Sequence, residues 1–404
     1  MKAQGKPVFT TWVLVTLGVL GMMGPFGTDT YTPALPAMAR DLRISMGLAQ
    51  ATLAAFTIGM AVGQFVSGSL SDRVGRRIII VGGGAIMTVA AALAAFATNI
   101  SVLLALCLVM GLSAAGGLTG GRALVADLVP GERAAKPFAT LGMVTSIGPI
   151  LGPIGGALLL TAFGSWRAIF VGLAIFAAIA TIGVFIAVPE SLPRADRHPG
   201  GLAQVFSNAG RILRNRQYIT HALILWLSFG LMFAYISSYS FIVQEKLNLT
   251  AGDFAASFAV NGTGLIITSF ITSRIVDRAG PKRMLTIGVI TQLSAMVALL
   301  VTFFGGFVSA PLIMVEMFFL VIAMGFVFGP VTALAMMEVR FAAGTAVALL
   351  GSIQFASASV SAFLVGVVSN DALVSFIAIA GTAALFVFGA LLISRARPAT
   401  SRNQ

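Results

Sequence analysis

The chain has one cysteine, Cys107, two histidines and only 9% charged residues in a length of 404. A single thiol excludes an intrachain disulfide. The sequence contains no metal-ligand cluster, no phosphate-cradling Gly-x-x-x-x-Gly-Lys loop and no nucleophile with a base beside it. These absences argue against an enzyme and against an ATP-driven pump, and they call for no cofactor. So little charge beside 58% hydrophobic residues excludes a soluble globular protein of this size.

What is present is a series of twelve apolar runs separated by short polar connections. A bilayer core of roughly 30 Å needs about 20 such residues per helix, so the pattern predicts an all-α integral membrane protein with twelve transmembrane helices. The run that follows Lys2 and Lys6 is read as the first span, from Phe9 to Pro33, closed by Pro33-Ala34-Leu35-Pro36.

The net charge of +12 could suggest a nucleic-acid partner, but its distribution argues otherwise. With the N-terminus inside, the inner connections and tails hold twenty Lys and Arg, and the outer ones hold four, namely Arg40, Arg43, Arg167 and Lys246. This is the positive-inside asymmetry, which sets topology. It predicts both termini in the cytoplasm and the lipid bilayer, not nucleic acid, as the partner. Of the 25 basic residues only Arg122 falls inside a helix.

One segment occurs twice. Gly68-Ser-Leu-Ser-Asp72-Arg73-Val-Gly75-Arg76-Arg77 follows the second apolar run, and Ser273-Arg274-Ile-Val-Asp277-Arg278-Ala-Gly280-Pro281-Lys282-Arg283 follows the eighth. The repetition predicts two pseudo-symmetric six-helix bundles, residues 1–193 and 218–404 with a short tail, joined by the arginine-rich cytoplasmic linker 194–217. Parallel repeats of this kind suit a secondary transporter that opens alternately to each side of a central cavity. Topology needs bases only, so Asp72 suggests that the segments also gate, their ion pairs breaking when the cavity opens inward.

Acids within apolar spans are costly and mark pathways by default. Asp29 is the first candidate for an exchangeable proton and Glu316, in the tenth run near Pro311, the second. Arg122 is either a coupling charge or an anchor at the inner end of its helix. Candidates for lining a substrate cavity are Met22, Phe26 and Tyr31 in the first run, Tyr235, Tyr239 and Phe241 in the seventh, and Asn261 in the eighth. Methionine and aromatic surfaces adapt to varied apolar ligands.

Four stretches are specific enough to carry a family resemblance: Asp29-x-Tyr31-x-Pro33-Ala34-Leu35-Pro36, the segment Gly68 to Arg77, Gly148-x-x-x-Gly152-Pro153-x-x-Gly156, and Phe233-Ala234-Tyr235-Ile236-Ser237 with Phe241. Through them the chain resembles the major facilitator superfamily end to end, in particular the Bcr/CflA-type branch of twelve-span drug:proton antiporters. The resemblance implies a monomer in the bacterial cytoplasmic (inner) membrane. It implies export of small apolar or amphipathic compounds, including antibiotics, in exchange for protons. Gly148, Gly152, Pro153 and Gly156 are similar to the motif associated with antiporters. The chain departs from the family at Cys107-x-x-Met110-Gly111, where R-x-x-Q-G is usual, so the arginine often linked to proton transfer is absent. A transporter of a single metabolite and a non-transporting membrane sensor are the alternative readings.

Overall fold

A computed structural model describes residues 11–128, 135–192, 209–339 and 343–395. Side chains at a few further positions, Asp72 and Arg122 among them, lie outside the described residues, as does most of the linker expected at 194–217. Everything regular among the described residues is helical. Eleven helical spans are long and apolar enough to cross a membrane, and a twelfth contributes the shorter apolar stretch Ile147–Phe163. Many large apolar side chains point outward, such as Ile186 at 79% and Phe304 at 80% exposure. Water would penalise such a surface and hydrocarbon does not.

The first span is built in pieces: α1 (Thr11–Gly21), α2 (Met23–Asp29), a 3-10 turn (Thr32–Ala34) and α3 (Leu35–Asp41). Prolines cause the breaks, since each removes a backbone donor. Pro33 cannot donate to the Asp29 carbonyl, and the Thr32 hydroxyl does so instead at 2.7 Å. The span does not close at Pro33–Pro36 as expected. It resumes as α3, because proline is tolerated in the first turn of a helix, where its N–H would be unpaired anyway.

The other spans of the first half are α4 (Met46–Val74), α5 (Arg76–Ala94), α6 (Ile100–Leu128), α7 (Ala135–Phe163) and α8 (Trp166–Ala187). Helix α7 holds Pro149 and Pro153 inside it, as expected where freed backbone groups find no water to compete for them. The second half comprises α9 (Arg216–Phe241), α10 (Ala251–Ala279), α11 (Pro281–Phe304), α12 (Ala310–Met337), α13 (Ala343–Val368) and α14 (Ala372–Arg395). Several starts are fixed by caps. Asn215 accepts from the N–H of Gln217 and Tyr218 at 3.0 Å each, and Thr250 with Asp253 forms a capping box on α10. Asp371 caps α14 and also takes Lys246 Nζ at 2.5 Å. Burial alone would lift the Asp371 carboxyl, but Lys246 and the N–H groups of Val374 and Leu373 outweigh it and hold it below the usual carboxylate range.

Two compact units result, one of residues 1–42 and 55–202, the other of 43–54 and 203–404. In the second unit Tyr218 and Trp226 of α9 donate to the Ala346 and Leu350 carbonyls of α13 at 3.0 and 3.1 Å. A core including Leu225, Val289, Val331 and Val387 fills the space between α9, α11, α12 and α14.

The repeated segment has one backbone form in both copies. Gly75 (φ 110°, ψ 149°) separates α4 from α5, and Gly280 (φ 82°, ψ 145°) separates α10 from α11. Each donates back one turn, to the Ser71 and Val276 carbonyls. Side-chain-bearing residues avoid this region. A Cβ at Gly280 would meet nothing within 4 Å, so Gly280→Ala isolates the backbone cost. We expect a stability loss of about 1–3 kcal/mol, read as a lowered thermal unfolding midpoint of the purified protein.

Candidate functional site

The site is built on the broken middle of the first span. Asp29 ends α2 and is 3% exposed. The Thr28 hydroxyl lies 2.9 Å from its Oδ1 as a donor and also 3.0 Å from the Pro25 carbonyl. A hydroxyl has one proton to give, so the carboxyl and this carbonyl compete for it, and a protonated Asp29 could return the bond to Thr28.

Against this stretch lies the glycine stripe of α7. A Cβ on Gly148 would come 3.3 Å from Pro25 Cβ, and one on Gly152 would come 3.2 Å from the Thr30 nitrogen and 3.3 Å from Asp29 Cβ. One on Gly156 would overlap the Thr30 carbonyl oxygen. Absence of side chains on that stripe lets two backbones meet at Asp29. The sequence thus predicted two separate motifs, and the structure brings them together inside the first unit. Met22, 7% exposed, also borders Gly148.

Aromatic rings complete the surroundings. Phe26 stacks on Phe176 with centroids 4.5 Å apart, and Tyr31 stacks on Phe170 at 5.2 Å. Tyr31 and Cys107 are both fully enclosed in the first unit. At the position where the resembled family usually carries arginine, the chain therefore has a buried, uncharged side chain, Cys107.

The seventh- and eighth-span candidates assemble in the second unit. Asn261 Nδ2 donates to the Tyr235 hydroxyl at 2.9 Å, and Tyr235 stacks on Phe258 at 5.5 Å and tilts against Tyr239 at 4.8 Å. Phe254 closes the group on Tyr239. These residues and Phe241 are at most 3% exposed, so in this structure they are packed rather than lining open space. Glu316 is also in the second unit. It is 6% exposed and not in solvent, and it accepts from the Thr302 hydroxyl of α11.

At the first repeated segment the Arg76 backbone N–H donates to Glu190 at 3.0 Å, while its guanidinium reaches Asp127 at 3.1 Å and Ser71 at 2.6 Å. Ser191 donates to the same Asp127 oxygen. Arg77 donates to the Phe185 carbonyl and lies over the Phe185 ring at 4.9 Å. The ends of α5, α6 and α8 are thereby clamped within one unit. Gly68 and Arg73 lie at the same helix end, Arg73 exposed. Asp277 and Arg278 of the second copy are exposed, and no ion pair is found for them among the described residues. Sequence reasoning missed Thr28, the partnership of Arg76 with Glu190, and the π-helical turn Ile242–Lys246. A hydroxyl beside the intramembrane acid was the available signal for the first, and an acid among prolines at a helix end for the second.

The family model described as Major Facilitator Superfamily matches residues 17–362. The chain is 32% identical over 92% of its length to the uncharacterized MFS-type transporter YdgK of Bacillus subtilis, covering 93% of that protein. It is 29% identical to a bicyclomycin resistance protein homolog of Haemophilus influenzae over 89% of each chain. It is 27% identical to the multidrug resistance protein MdtM of Escherichia coli over 63% of this chain and 62% of that one. Among solved structures, a bacterial homolog of the human lysosomal transporter Spinster superposes with a TM-score of 0.76 at 13% identity, covering 97% of this chain and 99% of the other. The xylose transporter XylE of E. coli gives 0.66 at 16%, covering 94% and 97%; both show likeness of fold.

Proposed function

Because the chain belongs to the major facilitator superfamily and is a membrane transporter rather than an enzyme, we propose that it exports small apolar or amphipathic compounds, antibiotics among them, in exchange for protons. The observation that carries this reading is Asp29. A buried carboxyl in an apolar span, with one competing hydroxyl donor and the α7 backbone against it, is costly to ionise and so suited to changing hands with a proton as its surroundings change. Similarity to proteins named for bicyclomycin and multidrug resistance supports the substrate class.

In this reading the halves 1–193 and 218–404 open alternately, with Met22, Phe26 and Tyr31 from one and Tyr235, Tyr239, Phe241 and Asn261 from the other meeting the substrate. Glu316 is the second acid available for coupling, and Arg122 a structural or coupling charge. The basic face is cytoplasmic in a bacterial inner membrane, and Gly68–Arg77 with Asp277 and Arg278 gates it. Energy comes from the proton gradient, since one charge crossing 100 mV is worth about 2.3 kcal/mol. The protein works as a monomer.

Cells lacking their other exporters test the proposal through accumulation of a fluorescent cationic dye or an antibiotic. Expression should lower accumulation, and an uncoupler should abolish the difference. Efflux that persists after the gradient is collapsed would overturn proton coupling, and no efflux of any apolar compound would overturn the substrate class.

A further inference from the structure

Asp29 belongs to the first unit, and the second unit contains a cavity of about 190 Å³. That is roughly six times the volume a water molecule occupies in the liquid, too large for a single bridging water. Its polar lining comes from four helix ends: Arg216 and His221 of α9, Lys282 of α11, Glu338 after α12 and Ser394 of α14. We propose that it is a binding cup for a phosphate group carried by an amine-bearing phospholipid of the adjoining leaflet.

Three observations converge. His221 is only 7% exposed, and its Nδ1 lies 2.9 Å from the Gln217 carbonyl. A carbonyl only accepts, so Nδ1 carries the hydrogen. Nε2 then carries the lone pair and is an acceptor at the cavity wall, suited to an ammonium rather than to a phosphate oxygen. Arg216 and Lys282 stand exposed at the rim, and neither has an ion pair among the described residues. The α11 start has no side-chain cap, so the positive end of its dipole lies at the same rim. Phosphate is the group that Arg216, Lys282 and this helix start recognise.

Glu338 decides the source. It would repel a free phosphate ion, whereas a headgroup that joins phosphate to an ammonium places opposite charges on Arg216 with Lys282 and on Glu338. Met337 and Ile393 line the same cavity and are each 58% exposed, which gives acyl chains an apolar path from the cup. The cup is held in shape where Asn215 Nδ2 donates to the Glu338 carbonyl at 3.4 Å.

Native mass spectrometry of the full chain, titrated with phosphatidylethanolamine, phosphatidylglycerol and inorganic phosphate, tests this. The wild type should hold one phosphatidylethanolamine at least tenfold more tightly than the double variant Arg216→Gln/Lys282→Gln, with Lys282→Gln alone as the milder variant should the double one fold poorly. Glu338→Gln should erase the preference for phosphatidylethanolamine over phosphatidylglycerol and keep phospholipid binding. Stabilisation by inorganic phosphate alone, lost in the variants, would support the phosphate cup and overturn the lipid as its source. Equal phosphatidylethanolamine retention by wild type and a folded Lys282→Gln or double variant would overturn the site.

Discussion

Asp29→Asn is expected to reduce substrate-driven proton release from proteoliposomes to the level of empty vesicles, with the protein still folded and still able to bind substrate. The substitution keeps the shape of the side chain and its bond with Thr28, which lies 2.9 Å away, and removes only the titratable proton. Because the side chain is 3% exposed and packed beside Gly152, solvent cannot replace it as a proton donor. Glu316 gives the control. It is also buried, but it belongs to the second unit and is held by Thr302 of the adjacent helix. If Glu316→Gln stops proton release and Asp29→Asn does not, the coupling role passes to the tenth span. If neither changes it, exchange does not run through an intramembrane acid.

Where composition and periodicity dictate the outcome, the sequence was readable. Among the described residues the twelve apolar runs became eleven spanning helices and the shorter apolar stretch Ile147–Phe163, and the repeated Asp-Arg-x-Gly placed Gly75 and Gly280 in the same strained region between paired helices. Pro33 and Pro36 misled because a proline that would end a helix in its middle is harmless in a first turn, and Pro33 starts the 3-10 turn while Pro36 sits in the first turn of α3. The site was legible as parts: Asp29, the α7 glycines and Tyr31 each stood out. Their convergence was not, since spacing along one helix says nothing about which neighbour meets it. The same limit hid the partners of Arg76, whose acids lie 51 and 114 residues away at other helix ends.

Gly156→Ala is the steric counterpart of the Asp29 substitution, and adjacent glycines separate packing from propensity. Both Gly155 and Gly156 lie within α7, where alanine is the better helix former by about 1 kcal/mol. A Cβ at Gly155 would meet nothing within 4 Å, so Gly155→Ala should leave transport intact and raise stability slightly. At Gly156 the same carbon would overlap the Thr30 carbonyl oxygen and come 3.1 Å from Pro33 Cγ. Backbone cannot turn aside as a flexible side chain does, so the first span must move away from α7, at a cost of about 1–3 kcal/mol or more. That displacement acts on Thr30, the residue next to Asp29, so transport should fall severalfold further than the lowered thermal midpoint alone would explain. Equal behaviour of the two alanine variants in both measurements would mean that the α7 backbone does not press on the first span, and the arrangement around Asp29 would lose its support.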